Sequence, residues 1–99
     1  MSRPASARVV IANREIGEQL RVWRKLLHLT LTQVADRAGI ARSTLQRIEK
    51  GEGGVSFQAV LSVARALGIL DELVRATDPY ETDFGRARAD HRLPQRVRP

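Results

Sequence analysis

The sequence predicts an all-α chain, a bundle of five helices, and three observations carry that expectation. Apolar residues recur at helical spacing in five separate segments. Capping residues and glycines punctuate those segments where helices start and stop. The length, 99 residues of which 42% are hydrophobic, suffices for one small core and excludes a wholly disordered chain.

Residues 1–12 open polar and read as a flexible N-terminal arm, with Val9-Val10-Ile11 as a short strand or a lead-in to the first helix. Asn13 is a plausible N-cap. Ile16, Leu20, Trp23 and Leu27 then fall at i, i+4, i+7 and i+11, which places the first helix at about 13–28, with Trp23 in the core and His28 at its end. Gly17 weakens this helix by about 1 kcal/mol relative to Ala. Close approach of another helix is a sufficient reason for it.

Thr30-Leu31-Thr32-Gln33 has the form of a capping box, opening a second helix over 31–38 whose buried face is Leu31, Val34, Ala35 and Ala38. Gly39 stands where a left-handed cap residue belongs. The third helix begins after Ile40-Ala41 and ends at Gly51, with Leu45 and Ile48 as its apolar pair. Ser43-x-x-Gln46 has the form of another capping box, which would start this helix later. Gly51-Glu52-Gly53-Gly54 is a loop, Ser56 caps a fourth helix with Phe57, Val60, Leu61, Ala64 and Leu67 on one stripe, and Gly68 stops it. Leu70, Leu73 and Val74 suggest a fifth helix over 70–77. Asp78-Pro79 marks the boundary of a tail, 78–99, that shows no helical stripe.

Composition narrows the function. Lys+Arg 17 against Asp+Glu 11 gives a net charge of +6, and only Arg24-Lys25 are adjacent basic residues. This spread suits a folded basic surface, with nucleic acid as the first partner to test and an anionic membrane surface as the second. The basic residues do not gather opposite an apolar face on one helix, which disfavours the membrane. With no cysteine, thiolate nucleophiles and cysteine zinc sites are excluded. His28 and His91 stand far apart, so no metal site, catalytic constellation or cofactor is expected, and the chain does not read as an enzyme. No apolar run approaches a spanning helix and no secretion signal is evident, so the expected location is the cytoplasm, on the nucleoid.

Two short helices joined across Gly39, the second polar on its outer side, form the helix-turn-helix layout. Leu45 and Ile48 anchor the third helix, leaving Arg42, Ser43, Gln46 and Arg47 on the opposite side. Such a face can enter the major groove, where Arg pairs with guanine and Gln with adenine. The alternative is an ordinary solvated helix face.

From Ile16 to Ile69 the chain resembles the phage-repressor (Cro/XRE) helix-turn-helix family. The likeness is carried by Ile16-Gly17, Leu20-Arg21, Arg24-Lys25, Leu29-Thr30, Val34-Ala35-Asp36-Arg37-Ala38-Gly39-Ile40, Arg42 to Gly51, and Ala64-Arg65-Ala66-Leu67-Gly68. The resemblance implies a lambda-repressor-like bundle at 13–77 that binds a palindromic double-stranded operator as a homodimer. It assigns base reading to Arg42, Ser43 and Arg47 with Gln46 nearby, and phosphate contacts to Thr30, Thr44 and Lys50. It pairs Arg24 with Glu49 as a structural ion pair, and it makes Leu70, Leu73 and Val74 dimer or core residues. Two departures stand out: Leu31 replaces the usual phosphate-touching Gln, and Ala41 replaces the usual capping Ser or Thr.

The tail admits two readings. One is a disordered extension on a stand-alone regulator. The other is a partner-binding segment anchored by Tyr80, Phe84, Leu93 and Val97. Asp78 to Asp90 and Leu93 to Arg98 resemble the tails of HipB-type antitoxins, which implies a HipA-type kinase toxin as partner and repression of the protein's own promoter.

Overall fold

The computed structural model describes residues 3–91, 93–95 and 97. These residues form α1 (Ala7–Leu26), α2 (Leu31–Ala38), α3 (Arg42–Glu49), α4 (Phe57–Leu67), α5 (Leu70–Ala76), a 3₁₀ turn (Pro79–Glu81) and α6 (Asp83–Ala87), with no strand among them. The all-α class therefore holds, with a sixth short helix beyond the expected five. The tail arginines at 92, 96 and 98 lie outside the described residues.

α2 packs on α3 and α4, α1 lies across α3, and α5 leans on α4. The core they enclose comprises Leu20, Val34, Ala35, Leu45, Ile48, Val63 and Leu67. Leu45, Val34 and Val63 are fully buried, each contributing about 1.5–3 kcal/mol of burial free energy. Leu31 packs against this cluster, so the residue at the departure serves the core.

Local hydrogen bonds set the helix ends. Thr30 Oγ1 accepts from the Gln33 amide at 3.1 Å and Gln33 Oε1 accepts from the Thr30 amide at 2.9 Å, a complete capping box. Gly39 closes α2 in the left-handed conformation at φ 69°. Ser56 Oγ caps α4 through the Ala59 amide at 3.1 Å.

Several expectations are corrected. α1 starts at Ala7, because Ser6 rather than Asn13 is its N-cap; the Ser6 hydroxyl accepts from the Val9 amide. Residues 7–12, read as arm, are thus helical, and Val9 continues the stripe of Ile16 and Trp23 at seven-residue spacing. α1 ends at Leu26, and His28 turns the chain at φ 56°, an unusual conformation for a residue with a Cβ. Trp23 and Phe57 are not core: they are 43% and 75% exposed. Ile16, Leu27, Leu73 and Val74 are also substantially exposed. α3 starts at Arg42 with Ala41 as an N-cap that makes no side-chain bond, so Ser43 does not delay the helix.

The tail is ordered through residue 87 by turn chemistry. Asp78 Oδ1 accepts from the Tyr80 amide at 2.9 Å, and Thr82 Oγ1 caps α6 through the Gly85 amide at 3.0 Å. Gly85 is buried against the Pro79 carbonyl, where a side chain would collide. Arg86 donates to the Tyr80 carbonyl at 3.1 Å and pairs with Asp83 at 2.8 Å.

Gly17 shows why α1 tolerates a glycine. A Cβ there would strike the Ile48 carbonyl and come within 2.9 Å of the Glu49 carbonyl and the Gly51 amide, all backbone. Gly51, at φ 70°, sits in turn against the backbone of Arg14. Gly17→Ala is therefore expected to destabilise the fold by about 1–3 kcal/mol despite the better helix propensity of alanine. Urea unfolding followed by circular dichroism checks this; a stabilised variant would refute the close approach.

Candidate nucleic-acid interface

α3 is too short to be stable alone. Leu45 and Ile48 seat it in the core and Glu49 fixes its C-terminal end. The Glu49 carboxylate accepts two hydrogen bonds from Arg24 of α1, Nε to Oε2 at 2.8 Å and Nη2 to Oε1 at 3.1 Å. Arg24 Nη1 also donates to the Leu29 carbonyl at 3.0 Å, which ties the α1–α2 turn into the same network. Both side chains are buried, and no buried side-chain polar atom among the described residues lacks a partner.

The hydrogen bonds it donates to Glu49 hold the Arg24 guanidinium above its ordinary pKa, against the opposing effect of burial, and Coulomb attraction to Glu49 adds to them. A cation with a raised pKa contributes its stability at all lower pH and loses it only as pH climbs through the folded value. On the arginine side, then, the network is constant through the neutral range.

The opposite side of α3 carries the sequence-predicted site residues. Arg42, Ser43, Gln46, Arg47 and Lys50 are exposed there, and Thr44 is half-buried at its margin. Ser43, Thr44, Gln46 and Lys50 make no side-chain hydrogen bond among the described residues. Arg42 makes only a long contact with Thr32 Oγ1, at 3.5 Å. Arg47 differs from the expectation of a free base-reading group. Its Nε lies 3.3 Å from Glu52 and its Nη2 donates to the Gly53 carbonyl at 3.2 Å, so its guanidinium is turned back onto the loop after α3. Thr30 lies at the start of α2 with its hydroxyl engaged as the cap. Tyr80, Phe84, Leu93 and Val97 are exposed in the tail, with Arg88 stacked over the Phe84 ring at 3.8 Å.

Two features escaped the residue pattern. One is Glu52, whose pairing with Arg47 depends on a loop that periodicity does not describe. The other is an open cleft of about 660 Å³ between α1 and α3, with Arg14 and Arg21 on one wall and Gln46 and Lys50 on the other. The spacing of Arg14 and Arg21, two helical turns apart on one side of α1, is the signal that could have found it.

No group of three His, Asp or Glu side chains among the described residues could hold a metal ion, and no described helix is long and apolar enough to cross a membrane.

Comparison with known proteins gives a consistent picture. Residues 15–77 match the helix-turn-helix domain family. The HTH-type transcriptional repressor RghR of Bacillus subtilis is 36% identical over 78 residues, covering 67% of this chain and 58% of RghR. The cryptic phage CTXphi transcriptional repressor RstR of Vibrio cholerae is 37% identical over 60 residues, covering 60% of this chain and 54% of RstR. An uncharacterised HTH-type transcriptional regulator of Methanothermobacter thermautotrophicus is 41% identical over 49 residues, covering 50% of this chain and 71% of that protein. The chain thus spans little more than half the length of the first two. No solved structure matches it significantly.

Breaking the Arg24–Glu49 network from one side strands a buried charge. Glu49→Ala is expected to cost about 3–5 kcal/mol of stability, whereas the paired replacement Arg24→Met with Glu49→Leu should recover most of it. Chemical denaturation of the three proteins checks this; equal losses in both variants would mean that the pair's net attraction, and not the stranded charge, sets the cost.

Proposed function

The chain belongs to the helix-turn-helix domain family, and from that premise we propose that it is a sequence-specific transcriptional repressor that binds double-stranded DNA. The observation that carries this reading is the exposed polar face of α3, with Ser43, Gln46 and Lys50 unengaged, on a helix locked from behind by core packing and a buried ion pair. Gln46, Arg42 and Ser43 read base edges, and Arg47 joins them on leaving Glu52. Thr30, Thr44 and Lys50 contact phosphate. The protein works in the cytoplasm, on the nucleoid.

The binding form is a homodimer on a palindromic site, with half-sites about 34–36 Å apart. Its support is an apolar groove of about 460 Å³ between α1, α4 and α5, where Trp23, Phe57, Leu70, Leu73 and Val74 lie together. These side chains adjoin one another on one face, and a second copy can cover that face symmetrically.

Selection from a randomised duplex pool tests this reading. An inverted repeat should emerge, bound by two protomers, with affinity falling as salt rises. Gln46→Ala should cost about 1–3 kcal/mol and relax the preference at one base pair in each half-site, read by fluorescence anisotropy on single-site variants. Recovery of no motif, with equal binding to all duplexes, would refute sequence-specific repression.

A second reading is favoured by one observation: the element at 78–87 is preformed and presents Tyr80 and Phe84 to solvent, 45% and 68% exposed. In that reading the protein is a HipB-like antitoxin that represses its own promoter, and the tail engages a HipA-type kinase toxin. Deletion of 78–99 should then leave specific DNA affinity within about tenfold, or 1.4 kcal/mol, and abolish retention of the kinase in a pull-down. Kinase capture by the truncated chain would move the contact from the tail to the helical domain, and no kinase captured by the full chain would leave the stand-alone regulator.

A further inference from the structure

The cleft between α1 and α3 shares Gln46 and Lys50 with the reading of α3, and that reading leaves the charge on its α1 wall unassigned. Its lining carries an excess of two positive charges. At its floor Arg24 and Glu49 neutralise each other and are fully engaged. The free charge therefore lies on the walls. Arg14 and Lys50 form no ion pair among the described residues. Arg21 pairs only with Glu18, at 3.3 Å and with both side chains about half exposed. A pair that exposed is screened by solvent and contributes little, so a phosphate competes with it readily.

The walls are also fixed in position. Gly51 rests on the backbone of Arg14, which pins the first wall beside Lys50 at the end of the second. Gln46, on the second wall, belongs to the same outward face that α3 offers to a major groove. Whatever enters the cleft thus lies alongside that groove, and what borders a major groove is a sugar–phosphate strand. At the start of α2, Leu31 lines the cleft with an apolar side chain that cannot bond phosphate. The basic groups able to hold that strand in the cleft stand on α1 and at Lys50.

We propose that this cleft seats one phosphodiester strand of the bound duplex, with Arg14 and Arg21 of α1 acting with Lys50 as a phosphate clamp. The proposal rests on the reading of α3 as the helix that enters the major groove. It assigns to α1, otherwise the supporting helix, a direct share of the affinity. The clamp carries no base information, since phosphate contacts fix register without reading sequence.

The test is a salt series from about 50 to 200 mM on the selected operator and on a scrambled duplex, with wild-type protein, Arg14→Gln, Arg21→Gln and the control Arg65→Gln. Arg65 is an exposed residue of α4 outside the cleft. Each cleft variant should reduce the slope of log affinity against log salt by about 0.9, equally on both duplexes, and keep the base preferences of the wild type. Arg65→Gln should leave the slope unchanged. Wild-type binding that prefers the operator, with slopes unaltered in both cleft variants, overturns the clamp and leaves the reading of α3 intact. An equal slope change in Arg65→Gln also overturns it, by showing a net-charge effect without contact. If no operator preference exists, the reading of α3 falls, while shallower slopes confined to the cleft variants on the scrambled duplex still support the cleft as a backbone seat. Circular dichroism melts of the variants, whose altered residues are exposed, separate these outcomes from loss of fold.

Discussion

The structure depends on how closely the C-terminal end of α3 approaches α1. Gly17 admits the carbonyls of Ile48 and Glu49, and Gly51 admits the backbone of Arg14, so the two backbone segments meet with no side chain between them. Over this contact the Arg24–Glu49 pair closes with two hydrogen bonds, and a third from Arg24 reaches the turn before α2. Three elements are thereby positioned at once. An eight-residue helix cannot hold a fixed orientation by its own hydrogen bonds. It acquires one here because its end is clamped and its inner side is packed. The glycine that weakens α1 locally is the condition for this arrangement, and a purely local propensity argument would remove it.

The same geometry explains why the core was partly legible in the sequence. Leu20, Val34, Ala35, Leu45, Ile48, Ala64 and Leu67 were marked by spacing and are buried. Trp23 and Phe57 satisfy the same spacing and are not. Apolar periodicity reports that a face avoids water, and it does not report what covers the face. On α4 the apolar arc is wide: Val63, Ala64 and Leu67 turn into the bundle, while Phe57 and Leu61 face the groove shared with α1 and α5. A one-domain reading assigns the whole arc to the core, because the second surface that divides it exists only once the helices are assembled.

Helix ends followed local chemistry, and they were legible where that chemistry has a compact signature. Thr30 with Gln33, Ser56, Gly39 and Gly68 are such cases, each a side-chain or backbone device of one to four residues. After Ser6 the run Val9-Val10-Ile11 is too short for periodicity to tell helix from strand, and α6 is held by Thr82, by Arg86 and by a glycine fitted under a proline carbonyl. Those contacts link residues three to six apart without any apolar repeat. The candidate interface divides in the same manner. The exposed face of α3 followed from knowing its buried face. The loop partner of Arg47 and the α1 wall of the cleft required knowing which segments lie next to α3 in space.

Arg47 shows what that neighbourhood does to a side chain on the outer face of α3. In the free protein its guanidinium rests between Glu52 and the Gly53 carbonyl, in a pair whose side chains are each about half exposed. A half-exposed pair is worth about 0–1 kcal/mol. A bidentate contact to guanine discriminates by about 1–3 kcal/mol. If α3 reads bases as proposed above, Glu52 and the Gly53 carbonyl compete with DNA for Arg47 on every sequence, because the pair belongs to the free protein and is common to all sites. The choice between sequences then rests on the base contact itself, and the loop sets only how much of that contact appears as affinity. Glu52 does so from a position that only the turn after α3 brings within reach.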